Sequence, residues 1–392
     1  MKVLVTGADG YIGAVLGPRL LERGHDCLGI DTGYFRNARL FEDRRLRPPV
    51  APRDVRDLMA CDLAGYDAVV HLAELSNDPL GAIDPRLTFA INHEGSVALA
   101  RAARAAGVAR FVYASSCSIY GASGPAVRTE TSPLDPQTAY ARCKVLVERD
   151  VARLASAEFA PVFLRNATAF GASPRQRFDL VLNNLAGSAF VHGEIRMTSD
   201  GSPWRPLVHV EDIAEAIVCA LEAPREAVAG EAFNVGADAQ NYTVREIAEI
   251  VAQAFPGASL SFGANGGDSR SYRVSFAKIA ERMPAFRCRW DAERGANQLH
   301  TLFLRIALSA QAFHASPYTR LAELERLRCE GLLDADLRWT GAIEGQAPNA
   351  AIAGAARSGQ ARSFAEMSVT GSGQAMPSAG SEWRRPPSAS GV

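Results

Sequence analysis

Tyr140 and Lys144 are the residues best suited to proton chemistry in this 392-residue chain. They stand four apart in segment 138–154, whose pattern predicts a helix, so both side chains lie on one face. A phenol with an unperturbed pKa of about 10 is a poor base at neutral pH. A neighbouring ammonium stabilises the phenolate and lowers that pKa. Ser116, in Ser115-Ser116-Cys117-Ser118-Ile119-Tyr120-Gly121, ends the apolar strand that begins at Arg110. Carboxyl ends of strands are where open α/β sheets bind ligands, so its hydroxyl can reach the oxygen that Tyr140 deprotonates.

Residues 3–13, Val-Leu-Val-Thr-Gly-Ala-Asp-Gly-Tyr-Ile-Gly, offer anion binding. Val3, Leu4 and Val5 read as a short strand and a Gly-rich turn follows. Ile12, Val15, Leu16 and Leu20 then recur at helical spacing up to a stop at Gly24. Gly7 can turn with positive φ, Gly10 lets the backbone approach a pyrophosphate, and Gly13 allows close helix–strand packing. The free N–H groups and positive dipole end of the helix then face an anion. The spacing is Gly-x-x-Gly-x-x-Gly. A second apolar strand, 27–30, ends in Asp31, placed to accept hydrogen bonds from an adenosine ribose. A carboxylate there repels a 2′-phosphate and favours NAD over NADP. A positively charged nicotinamide would join Lys144 in stabilising the Tyr140 phenolate.

The elements that must position these groups alternate along the chain. A continuous apolar strand at 67–73 suits a parallel sheet covered on both faces. An alanine-rich helix is expected at 86–106, stopped by Gly107, then a strand at 110–115. Residues 53–57 suit a loop beside an adenine ring. Residues 175–184 read as opening a helix whose polar groups could meet a sugar or phosphate. A helix at 210–221 and a strand at 232–235 are expected to return to the main sheet. Thr243, with Glu246 three residues on, caps an amphipathic helix running to Phe255.

Hydrophobic residues make up 47% of the chain and charged residues 22%, enough for a large core and more than one lobe. A formal net charge of −1 gives no electrostatic case for nucleic acid or an anionic membrane. No apolar run is long enough to span a bilayer, and the N-terminus lacks a signal-peptide pattern. Seven scattered cysteines without a Cys-x-x-Cys pair read as reduced thiols of a cytoplasmic protein with no metal site.

The sequence resembles the extended short-chain dehydrogenase/reductases, in the NAD-dependent epimerase/dehydratase group that acts on nucleotide sugars. The resemblance covers about residues 1–340. It rests on Thr6-Gly7-Ala8-Asp9-Gly10-Tyr11-Ile12-Gly13, Asp31, His71-Leu72-Ala73, Asn92, Ser115-Ser116 with Tyr120-Gly121, and Tyr140 with Lys144. Residues 204–212 and Phe233-Asn234-Val235-Gly236 match in the second half. It implies that Gly7, Gly10, Tyr11, Ile12 and Gly13 hold the pyrophosphate of NAD, Asp31 the ribose, and Asp54 and Val55 the adenine. Leu72 and Ala73 would line the cofactor and Asn92 support the site. Tyr140 would act as base, with Lys144 tuning it and binding ribose. Arg205 and Arg270 fall where the group places arginines on the sugar nucleotide's diphosphate, and guanidinium suits that role. A homodimer is also implied.

Two positions depart from the group's patterns. Sugar-nucleotide 4,6-dehydratases carry Asp-Glu after the hydroxyl residue matched by Ser116, and here Cys117 and Ser118 stand there. Neither supplies a carboxylate, so redox or epimerase chemistry gains. In Leu164-Arg165-Asn166-Ala167-Thr168-Ala169-Phe170-Gly171, Thr168 occupies the group's usual Asn position and Asn166 is offset. Both are candidate substrate contacts.

The expected architecture is α/β: a doubly wound, mostly parallel Rossmann sheet over 1–170 with return segments near 207–236. A smaller mixed α/β substrate lobe over 171–340 caps a nucleotide-sugar site. Residues 341–392, rich in Ala, Gly, Ser, Pro and Gln, are expected to be disordered. The expected activity is an NAD-dependent nucleotide-sugar epimerase. The alternatives are a reductase or dehydrogenase, a 4,6-dehydratase, or a non-catalytic dinucleotide-binding regulator. A regulator would be expected to lose the phenol or the ammonium, and both are present.

Overall fold

The computed structural model describes residues 1–76, 84–264 and 270–341; the expected C-terminal tail lies outside them. Apolar runs without a polar face need cover on both sides. They form a seven-stranded sheet of β1 (Lys2–Thr6), β2 (Asp26–Asp31), β3 (Val50–Pro52), β4 (Ala68–His71), β5 (Arg110–Ser116), β7 (Ala160–Asn166) and β11 (Ala232–Val235). The spatial order is β11-β7-β5-β4-β1-β2-β3, with every pairing parallel. The chain runs outward from β1 through β2 to β3, then crosses back to β4 on the other side. The order therefore reverses between β1 and β4, and a crevice opens at the carboxyl ends of these strands.

On one face, helices Gly13–Glu22 and Val210–Glu222 cover Val3, Val5, Val70, Val112 and Leu164. Arg19 and Glu215 tie the two helices together through a 2.6 Å ion pair. On the other face, helices Ser96–Ala105 and Ala139–Ala152 cover Leu4, Val69, Phe111 and Phe163. Thr138 caps the second of these, its hydroxyl accepting from Ala141 N at 3.1 Å.

The alanine-rich helix expected at 86–106 is interrupted. An α turn at Pro85–Thr88 leads into a π-helical stretch, Phe89–Gly95, before regular helix resumes. π stretches concentrate at functional sites, and this one carries Asn92 toward the crevice loop.

Three smaller sheets build the second layer. β8 (Thr168–Phe170), β10 (Trp204–His209) and β12 (Asn241–Thr243) form one; β9 (Glu194–Arg196) pairs with β13 (Ser259–Ser261), and β6 (Ala122–Arg128) with β14 (Ser271–Val274). The Val244–Ala254 helix begins with the capping box of Thr243 and Glu246. The helix expected from residue 175 instead starts at Val181. Asn183 and Asn184 turn their amides back onto the carbonyls of Arg177 and Phe178, at 3.0 and 2.9 Å. Arg175 is drawn away to Asp9. These side-chain bonds take up the carbonyls of Arg177 and Phe178 outside any helix.

The C-terminal helix Arg320–Cys329 and the residues up to Thr340 fold back onto the first layer. Leu324, Leu327, Leu333 and Leu337 pack with Tyr34, Leu75 and Ile91, and each of the four leucines is at most 4% exposed. Burial of each contributes about 1.5–3 kcal/mol, which anchors the segment beside the crevice.

Candidate active site

The crevice is lined by Gly7, Gly10, Tyr11, Ile12 and Gly13, by Asp31 and by Asp54 and Val55. Leu72, Ala73 and Glu74, with Ile91, Arg177 and Arg320, also line it. Ten of the sequence-predicted cofactor residues therefore share one cleft. Gly7 has φ +70°, and a Cβ on it would lie 2.8 Å from Ala73 N. A Cβ on Gly13 would lie 2.4 Å from the Gly7 carbonyl. Glycine at both positions lets the turn, the β4 loop and the helix start meet, leaving backbone N–H groups at the cleft floor.

Asp31 accepts from Gly33 N at 2.8 Å and Asp9 N at 3.0 Å, and burial pushes its carboxyl above the ordinary range. The Tyr11 hydroxyl donates to the Gly171 carbonyl at 2.8 Å and accepts from Asn183 at 3.2 Å. The Gly-rich turn is thereby fastened to the second layer. Asp54 caps residues 55–57 and pairs with Arg56 at 2.6 Å. Asn92 is fully buried; its amide bridges Leu75 N and O at 2.8 and 2.9 Å, fixing the β4 loop from behind.

The Ala139–Ala152 helix presents Tyr140 and Lys144 as its period requires. The Lys144 ammonium donates to the Ala114 carbonyl at the end of β5 and lies 2.5 Å from Glu74 Oε2. It sits 4.6 Å from the Tyr113 ring centroid and 5.3 Å from that of Tyr140. Both side chains of the Lys144–Glu74 pair are nearly dry, 4% and 3% exposed. Burial works against the ammonium, but Glu74, Tyr140 and Glu148 together hold the Lys144 pKa above the usual lysine value. Tyr113 donates to Glu74 Oε1 at 2.5 Å, so the carboxylate bridges phenol and ammonium. Ser116 ends β5 with its hydroxyl accepting from Ser118 N at 3.1 Å.

Beneath this group, Glu148 accepts from Ser115 at 2.5 Å and from Arg165 Nη2 at 2.7 Å. The Tyr140 helix is thus clamped to β5 and β7. Arg165 serves as scaffold, and Asn166 donates weakly to the Ser115 carbonyl at 3.4 Å while its buried Oδ1 has no partner among the described residues. Cys117 is buried, its thiol donates to the Arg165 carbonyl at 3.1 Å, and burial pushes its pKa up.

Thr168, Arg205 and Arg270 gather around Tyr272 on the second layer. Thr168 hydrogen-bonds Tyr272, Arg205 stacks at 5.7 Å from its ring and also donates to the Arg270 carbonyl. Burial raises the Tyr272 pKa to about 12. Residues 265–269, directly ahead of Arg270, lie outside the described residues.

Three charged wall residues escaped the sequence reading. Glu74 directly follows the matched His71-Leu72-Ala73, so its place at a strand end was a usable signal. Arg177 pairs with Asp179 at 2.8 Å and reaches Ser76 at 3.1 Å; it falls in 175–184, which the sequence pattern presents only as the polar opening of a helix. Arg320, 289 positions beyond Asp31, carried no signal.

A parallel doubly wound sheet, a Gly-rich turn at its switch point and a Tyr–Lys helix beside it define a dinucleotide-binding enzyme of the short-chain dehydrogenase/reductase type. Residues 3–236 match the model of the NAD dependent epimerase/dehydratase family. The UDP-glucose 4-epimerase of Corynebacterium glutamicum is 32% identical over 266 residues, 64% of this chain and 79% of that protein. The solved structure of MoeE5 in complex with UDP-glucose and NAD superposes with a TM-score of 0.67 at 25% identity, covering 79% of this chain and 100% of that one. DesIV, a dTDP-glucose 4,6-dehydratase from Streptomyces venezuelae with NAD and TYD bound, gives 0.66 at 26% identity, covering 78% and 97%. The chain belongs to the NAD-dependent epimerase/dehydratase family, and its cofactor is NAD. The glycine cradle and the polar wall of the cleft fit that group. No helix among the described residues is long and apolar enough to cross a membrane.

Proposed function

We propose that the chain is a nucleotide-sugar epimerase in which Tyr140 is the base for a sugar hydroxyl. Bound NAD supplies a hydride acceptor at its nicotinamide. Tyr140 takes the hydroxyl proton and returns it when the sugar carbon is reduced from its other face. Lys144, fixed between Glu74 and the Ala114 carbonyl, steadies the phenolate's charge. The Ser116 hydroxyl donates to the developing carbonyl oxygen. In this reading Gly7, Gly10, Tyr11, Ile12 and Gly13 border the cofactor's pyrophosphate, and Asp31 its ribose. Asp54 and Val55 lie at its adenine, and Arg205, Arg270, Thr168 and Asn166 on the nucleotide-sugar side.

The observation that carries epimerisation over dehydration is at the end of β5. A buried neutral thiol, Cys117, and the hydroxyl of Ser118 stand where expulsion of water would call for carboxylates. The relatives make a UDP-hexose the first substrate to try. Freshly purified protein, given UDP-glucose and no added cofactor, should form the 4-epimer without accumulating NADH, and should release near-stoichiometric NAD when heat-denatured. A 4-keto-6-deoxy product, or stoichiometric NADH, would overturn the epimerase reading. The implied homodimer is checked by light scattering of the same preparation.

A further inference from the structure

Among the described residues lining the cleft, Arg320 is the one delivered from outside the family-matched stretch 3–236. It opens the Arg320–Cys329 helix, is 3% exposed, and lines the same cleft as Gly7, Gly10 and Gly13. Its guanidinium stacks at 3.9 Å from the Phe35 ring centroid, and its buried Nη1 has no hydrogen-bond partner among the described residues. The charged groups facing it are Arg177, Asp179, Asp31 and Arg175. Asp179 is committed to Arg177 in a two-pronged pair, and Arg175 to Asp9. Asp31 already accepts two backbone N–H groups. On its own helix, Glu323 is taken by Arg326 and Ser316. Among the described residues Arg320 is therefore a buried cation with no ion-pair partner of its own, and the carboxylates facing it are engaged elsewhere. Burial pulls its pKa down to about 9, which still leaves it charged at neutral pH.

An uncompensated buried charge is costly, and cores do not keep one without use. The segment that carries it is also held firmly in place. The Trp339 indole donates to the Thr32 carbonyl at 2.8 Å, Tyr34 donates to Leu337 O, and Arg56 to Asp336 O at 2.9 Å. Arg338 pairs with Asp57 at 2.6 Å and Asp54 at 3.3 Å. Every one of these anchors lies on loops 31–35 and 54–57, the adenosine side of the cleft.

The geometry points to Arg320 as a cofactor-binding residue whose guanidinium takes the diphosphate bridge of the dinucleotide, with segment 319–340 closing the adenosine side of the cleft around it. The diphosphate supplies the missing negative charge, and the planar fork suits its oxygens. The assignment rests on the cleft being the NAD site.

Full-length protein stripped of nucleotide, as wild type, Arg320→Met and Arg320→Lys, is titrated calorimetrically with ADP-ribose, NADP and adenosine. Arg320→Met should weaken ADP-ribose about 10- to 100-fold while adenosine changes less than about two-fold, and Arg320→Lys should recover part of the loss. Nucleotide-free Arg320→Met should melt at or above the wild-type temperature, because an unpaired buried charge is gone, whereas saturating ADP-ribose should stabilise it less than wild type. Equal losses for adenosine and ADP-ribose, or a lower nucleotide-free melting temperature, would make Arg320 structural and overturn the proposal. Loss confined to NADP would assign the guanidinium to a 2′-phosphate instead. Wild type that binds ADP-ribose with Arg320→Met unchanged overturns this inference alone; wild type that binds none overturns the cofactor site itself.

Discussion

Lys144→Met tests the buried pair that holds the ammonium under Tyr140. At 2.5 Å, with an effective dielectric constant of about 20, attraction between Nζ and Glu74 is about 7 kcal/mol, set against the desolvation of both groups. Removing one partner strands the other, so each single variant, Lys144→Met or Glu74→Gln, should lose about 3–5 kcal/mol near pH 7. The double variant leaves neither charge of this pair and should recover most of that loss. The pH dependences should oppose each other. In Lys144→Met, burial raises the folded pKa of Glu74 above its unfolded value, so stability present at low pH is lost as pH rises. In Glu74→Gln, burial depresses the folded pKa of Lys144, so stability is lost as pH falls from about 10. Urea midpoints measured from pH 6 to 9 should therefore diverge in opposite directions for the two single variants and stay nearly flat for the double. Additive losses, with the double variant the least stable and no crossing pH trends, would refute the reasoning.

Tyr140→Phe should lower nucleotide-sugar turnover by at least about 100-fold with NAD content unchanged, measured by product chromatography and nucleotide release. Unchanged turnover would remove Tyr140 as base. Asp31→Ser should narrow the preference for NAD over NADP by about tenfold or more in binding titrations, since the carboxylate that repels a 2′-phosphate is gone. His71 is buried between Thr6 at 2.7 Å and Ser96 at 2.7 Å, and burial lowers its pKa to about 3. The unfolded imidazole binds a proton first, so stability present above pH of about 6.5 is lost as pH falls toward 3, by about 4 kcal/mol. His71→Gln should show a shallower acid limb in melting temperature from pH 7 to 4, and an unchanged limb would exclude His71 as its source.

Glycines, Asp31, Tyr140 and Lys144 were legible because their relations are local. A strand period of two, a helix period of 3.6 and a turn needing positive φ act over a few residues, and Gly7, Gly13 and the Tyr–Lys spacing obey them. The strand at 232–235 and the cap at Thr243 were legible for the same reason. The start at residue 175 was misread because hydrogen bonds from Asn183 and Asn184 to the carbonyls of Arg177 and Phe178 decide it, and side-chain competition leaves no periodic trace.

What only the tertiary structure decided is which charges meet. Glu74 reaches Lys144 across 70 residues, Tyr11 is fastened to Gly171 across 160, and Asp54 meets Arg338 across 284. In the sequence Arg320 is indistinguishable from Arg326 and Arg328 of the same helix. Folding buries Arg320 in the cleft, pairs Arg326 with Glu323 and Glu330, and leaves Arg328 at the surface. The chain code thus specified the elements and the reactive groups they carry, through local periodicity. The electrostatic setting of those groups came from burial and from partners far apart along the chain, because desolvation and Coulomb attraction depend on distance in space and on exclusion of water, neither of which a linear spacing contains.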